Sequence, residues 1–416
     1  MRAVGRPAAA FMMARARWPP WLCVACVHPT GQLPQTTLAP SSSSSTLQAH
    51  IVRELHAAGG WVPFDRFMAL ALYTPGLGYY ANDLVKFGAM PDSGSDFVTA
   101  PELSPWFGRT LARQIGQALQ ASDTHDVWEF GAGTGALAQQ VLQQLAHDGL
   151  TEVRYHIVDL SGTLRARQQA TLAAFADRVT WEDRLPERLE GVLVGNEVLD
   201  AMPVQLLYRR QGVWHERGVA LANAAPPADT PAEASPFVWQ DRPTELRPPI
   251  AIDGPQDYLT EIHPQAEAFV RTLAERWTRG AAFFIDYGFP EAEYYHPQRH
   301  MGTLMCHRAH RSDDDPLADV GDKDITAHVN FTGVALAAQE AGLQVLGYAS
   351  QGRFLINAGL LELAHDAPLA ERAHLAKLVN EHEMGEFFKV LAFAPMPSAD
   401  GWVPLGFVRG DRTHTL

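Results

Sequence analysis

The chain has 416 residues, with 33 basic and 47 acidic side chains and a formal net charge of -14. That balance argues against a nucleic-acid or anionic-membrane surface, because such partners need a cationic footprint. With 46% hydrophobic and 19% charged residues the chain is not wholly disordered. Length suggests about three domains, although one elaborated α/β domain fits equally well. No apolar run reaches the ~20 residues that span a bilayer, so no membrane insertion is expected.

The first 50 residues hold Arg2, Arg6, Arg15 and Arg17, no acidic residue, and the run Ser41 to Ser45. An Arg- and Ser-rich leader without acids is one form of import signal, but Pro19, Pro20 and Pro34 fit an amphipathic helix poorly. Residues 1–45 are therefore read as a disordered tail or an over-extended start. The three cysteines, Cys23, Cys26 and Cys306, cannot build a disulfide framework and suit a reducing compartment.

A helical extension is expected over 46–122. Thr46 suits an N-cap before Leu47, Ile51 and Leu55, with Gly59-Gly60 as the stop. A second short helix carries Phe67, Leu70 and Ala71, and leads into a turn-rich stretch to Tyr80. Ser104 and Pro105 then look like N-cap and N1 of a longer helix.

From about 123 onward the pattern changes to strands separated by helices. Val127 to Phe130 runs into Gly131-Ala-Gly133-Thr-Gly135 and a helix through Leu137, Val141 and Leu145, which is the nucleotide-binding strand–turn–helix unit. Val153 to Asp159 and Val179 to Asp183 end acidic. Gly191 to Val194 leads to Asn196-Glu197, and Ala281 to Ile285 to Asp286-Tyr287-Gly288. A parallel sheet with ligands at its carboxyl edge follows. The segment of about 208–255, rich in proline from 221 on, is expected to be an irregular surface insertion. Leu343 to Ala349 and Lys389 to Ala394 close the pattern as two strands, readable as an antiparallel pair.

The glycine motif suits either a dinucleotide or S-adenosylmethionine. Glu129, just before the turn, favours the second: its carboxylate can organise a cofactor ammonium, whereas it would repel a pyrophosphate. Asp159 can accept both ribose hydroxyls of either cofactor. The cofactor set read from the sequence is Glu129, Gly131, Gly133, Gly135, Asp159, Asp183 and Asn196. Glu197 and Asp200 sit where a carboxylate clamp for a substrate cation belongs; their structural alternatives are a solvated loop acid and a helix cap. Glu102 is a second catalytic candidate or a first-turn acid. Asp286 and Tyr287 either line the substrate channel or end the strand. The spacings of His296, His300, His307 and His310 match no familiar zinc pattern, and no metal is expected.

The blocks Leu72 to Tyr80, Thr99 to Gly108, Glu129 to Gly135, Asn196 to Pro203, Ile285 to Gly288, Asp324 to Phe331 and Gln351 to Leu355 together resemble the MidA-like family. That family includes the mitochondrial complex I assembly-factor protein arginine methyltransferase. Ala100, Asp159 and His307 depart from its usual Ser, Glu and Tyr. The resemblance implies a class I methyltransferase, a Rossmann-like α/β fold with a mostly parallel seven-stranded sheet, using S-adenosylmethionine. Its implied partner is a protein substrate carrying an arginine, a complex I subunit in mitochondria. The implied compartment is the mitochondrial matrix for a eukaryotic source and the cytoplasm for a bacterial one. Two rival classes stay open at this point: a dinucleotide oxidoreductase and a non-catalytic assembly chaperone that keeps the fold.

Overall fold

The computed structural model describes residues 43–82, 99–159, 162–222, 235–308, 311–396, 398 and 400–416. The tail reading and the Cys23/Cys26 pair thus fall almost wholly outside the described residues. Seven strands form the central sheet: β1 Asp126–Phe130, β2 Arg154–Val158, β3 Val179–Glu182, β4 Val192–Asn196, β5 Ala282–Phe289, β6 Leu343–Ser350 and β7 Phe388–Pro395. Their spatial order is β6-β7-β5-β4-β1-β2-β3. Neighbours from β5 to β3 pair in parallel, while β7 runs antiparallel between β5 and β6. A two-residue strand, Val329–Asn330, adds to the end of β5.

The alternation of side chains along each strand builds two cores. On one face Val127, Ile157, Val194 and Ile285 pack with helices Pro105–Ser122 and Ala136–His147. On the other, Trp128, Leu193, Phe284 and Phe393 pack with helices Pro264–Arg276 and Phe331–Glu340. Ser104 caps the first of these helices as expected, its hydroxyl accepting from Trp106 N at 3.3 Å.

A third core corrects two expectations. The first helix spans Ser43–Ala57, three residues ahead of Thr46, and the extension is not purely helical, because Trp61–Pro63 forms an edge strand. The segment read as irregular is an antiparallel sheet of Gln205–Arg210, Val213–Leu221, Phe237–Pro243 and Tyr258–Ile262, joined by that edge strand. Its strands hide charge instead of alternating cleanly. Arg217 forms two hydrogen bonds with Asp241, at 2.8 and 3.0 Å, and lies over the Tyr208 ring. Leu47, Ile51, Phe64 and Phe67 pack on Leu206, Val219 and Phe237, so the N-terminal extension and the insertion share one core.

Gly218 is the contact that lets the edge strand dock. A Cβ there would stand 2.3 Å from Val62 O and 2.5 Å from the Trp61 ring. Gly218→Ala is expected to lower stability by about 1–3 kcal/mol through local overpacking, read as a lower denaturant midpoint at unchanged slope. An unchanged midpoint would mean that the extension unfolds independently of the insertion.

Candidate active site

The carboxyl ends of β1, β2, β4 and β5 open into one cavity of about 850 Å³, a size suited to a cofactor and part of a substrate. Its two ends differ in chemistry.

One end is the glycine turn after β1. Gly131, Gly133 and Gly135 have φ of +65°, +53° and +84°, left-handed values that residues with a Cβ rarely adopt. Beneath it, Glu129 is buried and accepts from the Tyr155 hydroxyl at 2.7 Å. Burial pushes its carboxyl up to about 8, against the Tyr155 hydrogen bond and with some help from Asp159. Asp159, half-buried after β2, accepts from Gln168 Nε2 at 2.7 Å. The same nitrogen donates to Gly133 O at 3.0 Å, and Trp181 Nε1 donates to Gln168 Oε1 at 2.9 Å. Gln168, fully buried, therefore fixes turn and acid together. The sequence reading passed over it because one glutamine on a polar helix carries no local signal.

Glu102 belongs to this end. Its carboxylate accepts from the Thr134 hydroxyl in the glycine turn. Gln140 holds the approach, accepting from Gly108 N at 3.0 Å and donating to Pro101 O at 2.8 Å. The structure thus attaches Glu102 to the cofactor turn rather than to the Glu197–Asp200 turn. Asp183 lies on the rim, exposed and ion-paired with Arg165 at 2.6 Å. Glutamate, two aspartates and the turn backbone are a donor and acceptor set that fits S-adenosylmethionine: Glu129 would hold its ammonium end and Asp159 its ribose.

The other end is acidic and aromatic. After β4 the chain enters a turn, not a helix, so the helix-cap alternative for Asp200 does not hold. Asp286, at the corresponding point of β5, takes over the amides of that turn: its Oδ2 accepts from Val198 N at 3.1 Å, Leu199 N at 2.9 Å and Asp200 N at 3.2 Å. Asp286 is therefore the anchor of the turn, and Tyr287 is the residue that lines the cavity. Glu197 sits at φ +55°, a strained conformation for a residue with a Cβ, its amide tied to Ile285 O at 2.9 Å. Its carboxylate accepts from Asn196 Nδ2 at 3.0 Å. Burial and the charge of Asp200 raise Glu197 to about 8, and burial raises Asp200 to about 6 against a hydrogen bond from Tyr287. Asp200 Oδ1 and Asn196 Oδ1 are buried without a donor. Asn196, read from the sequence as a cofactor residue, lines the cavity and its amide is spent on Glu197. Asp324, Tyr73 and Tyr80 complete the lining. None of the three was among the site residues read from the sequence, although all lie in the family-like blocks.

Two outcomes test the cofactor end. Gly133→Val should abolish S-adenosylhomocysteine binding in calorimetry, because a β-branched residue resists positive φ and occupies the ligand's space. A bound ammonium stabilises ionised Glu129, so binding at pH 7 should release protons and strengthen from pH 6 to 8 as Glu129 ionises. That release, read from the dependence of the observed enthalpy on buffer ionisation heat, should vanish in Glu129→Gln.

Known proteins share this chain's sequence and fold. Residues 110–349 match the family model described as a putative S-adenosyl-L-methionine-dependent methyltransferase. A crystal structure from Burkholderia thailandensis, described as a COG1565 superfamily member and likely methyl transferase bound to S-adenosyl-homocysteine, superposes with TM-score 0.84 at 49% identity, covering 92% of this chain and 100% of that one. The mitochondrial protein arginine methyltransferase NDUFAF7 homologue of Drosophila melanogaster is 28% identical over 86% of this chain and 88% of its own. The Danio rerio mitochondrial protein arginine methyltransferase is also 28% identical, over 84% and 89%. With a glycine turn over a buried Glu129 at one end of the cavity and the match running from ahead of β1 into β6, the chain belongs to this family of S-adenosylmethionine-dependent methyltransferases, the MidA-like family that its sequence blocks resemble.

Proposed function

We propose that the methyl acceptor is a guanidinium nitrogen of a protein arginine. The observation that carries this reading is the Glu197–Asp200 turn: two carboxylates on one short turn line the cavity, and a buried oxygen of Asp200 has no donor. A buried acceptor without a partner costs about 1–3 kcal/mol, and a guanidinium brings five N–H donors and no acceptor. The names of the mitochondrial relatives support the same acceptor. A complex I subunit remains the protein that the family resemblance implies.

Bound S-adenosylmethionine supplies an electrophilic methyl group on a sulfonium. The residues of this chain position the other reactant. A guanidinium nitrogen is a weak nucleophile, because its lone pair is delocalised over the cation. Charge-assisted hydrogen bonds donated by the non-attacking nitrogens to Glu197 and Asp200 hold the positive charge there and aim the remaining nitrogen. Tyr287, hydrogen-bonded to Asp200, and the stacked pair Tyr73 and Tyr80 at 5.6 Å line the same space with rings and narrow its contact with water.

Tritiated cofactor with a cell extract, followed by hydrolysis of the labelled protein, tests the acceptor. Label in methylarginine is the expected result, and label confined to another amino acid, or none despite cofactor binding, would sink the reading. Glu197→Gln keeps shape and loses charge, so it should hold cofactor affinity within about twofold yet reduce transfer by ~100-fold, the loss of a ~3 kcal/mol contact in the transition state. In the wild type, the clamp works only when Glu197 is ionised. Its carboxyl is raised to about 8, so kcat/KM should climb from pH 6 to 8, and Glu197→Gln should lose the upper part of that rise.

A further inference from the structure

We infer that Asp324, gripped by Tyr80, is a third acceptor in the substrate site and selects a guanidinium over an ammonium nucleophile. This deepens the arginine reading above and rests on it. Asp324 opens the short strand Asp324–Thr326, is 2% exposed, and lines the same cavity as Glu197 and Asp200. The Tyr80 hydroxyl reaches both of its oxygens, at 2.8 and 2.9 Å, and Ile325 N donates to Oδ1 at 2.9 Å.

The surrounding bonds tie this acid to the turn that carries Asp200. Ala327 N, three residues on, donates to Asp200 O at 3.0 Å. Tyr73, stacked on Tyr80, donates to Ala201 O at 2.8 Å. On the other side, Asp324 pairs in register with His307 of strand Met305–Arg308, and both His307 and Met305 line the cavity. Asp324 also contributes to the raised carboxyl of Glu197, after burial and Asp200, so the acids feel one another's charge. A residue that served only to anchor Tyr80 would not need to sit within that field, where like charges repel.

The chemistry separates two nitrogen nucleophiles. An ammonium presents three donors at a single point, which the two acids of one turn can satisfy. A guanidinium presents donors along a plane, and when one nitrogen attacks, those on the remaining edges each need an acceptor. Asp324 comes from a different segment than Glu197 and Asp200, so it extends the acceptor set beyond what one turn can offer.

The test titrates ethylguanidinium and ethylammonium chloride into the S-adenosylhomocysteine-loaded protein, followed by NMR, for wild type, Asp324→Asn and Tyr80→Phe. Wild type should prefer ethylguanidinium. Asp324→Asn should weaken ethylguanidinium by about tenfold or more, one charge-assisted contact, and ethylammonium by less than about threefold, with cofactor affinity unchanged. Tyr80→Phe keeps the charge and should lower the guanidinium preference by a smaller factor. Equal losses for both cations, wild-type affinity for both, or a parallel loss of cofactor affinity would overturn the inference. Should Asp324→Asn not fold, an unchanged preference in Tyr80→Phe overturns it. A wild type without guanidinium preference would instead refute the arginine reading itself.

Discussion

The site depends on one buried carboxylate that never meets the substrate. Asp286 is 1% exposed and accepts from three successive amides of the turn after β4 and from Tyr287 N. A turn at the end of a buried parallel strand has amides that neither sheet nor water can satisfy, and each would otherwise cost free energy. One aspartate on the adjacent strand resolves that problem. In doing so it fixes the direction of Glu197 and Asp200, which follow from the same few residues.

The consequence is a concentration of like charge. Burial raises Glu197, Asp200 and Asp286 above their ordinary values, and repulsion adds to it at Glu197, from Asp200, and at Asp286, from Asp200 and Glu197. Without a cation this arrangement is destabilising, and with one it becomes a tight acceptor set. Glu129 repeats the pattern at the other end of the cavity, where burial alone raises it most. Both ends therefore hold acids whose ionisation a cationic ligand would favour. The strain at Glu197, with φ +55°, is the local backbone cost of that placement.

The accessory lobe does more than decorate the sheet. The core of Leu47, Phe64, Phe67, Leu206 and Val219 also takes in Cys306 and Ile325. That packing carries Tyr73, Tyr80 and Asp324 to the acid turn. Glu261 secures the neighbouring loop, accepting from Thr303 N at 2.8 Å, Leu304 N at 3.1 Å and Tyr294 OH at 2.8 Å. The substrate end is thus assembled from the β4 turn and from segments before β1 and after β5, whereas the cofactor end comes mostly from β1, β2 and the helices beside them.

The cofactor end was legible in the sequence because its signals are local. A strand, a glycine turn and a helix within 22 residues, from Asp126 to His147, specify one geometry, and Glu129 and Asp159 fall at fixed offsets from the turn. The alternating strands likewise predicted the sheet and its carboxyl edge. Tertiary structure decided the rest. The antiparallel sheet at Gln205–Ile262 was hidden because its strands carry charges in cross-strand pairs, Arg217 with Asp241 among them, which leaves no clean alternation to read even in the tight hairpin of Gln205–Arg210 and Val213–Leu221. Glu102 was readable as a second catalytic candidate or a first-turn acid, and Asp286 as channel lining or a strand end; their partners, Thr134 and the amides after β4, come only from the tertiary structure. Gln168, Tyr80 and Asp324 gave no signal of a role, since each acts through a partner 9 to 244 residues away. Hydrogen-bond partnership is a property of three-dimensional proximity, and sequence reports it only where the partners are close along the chain.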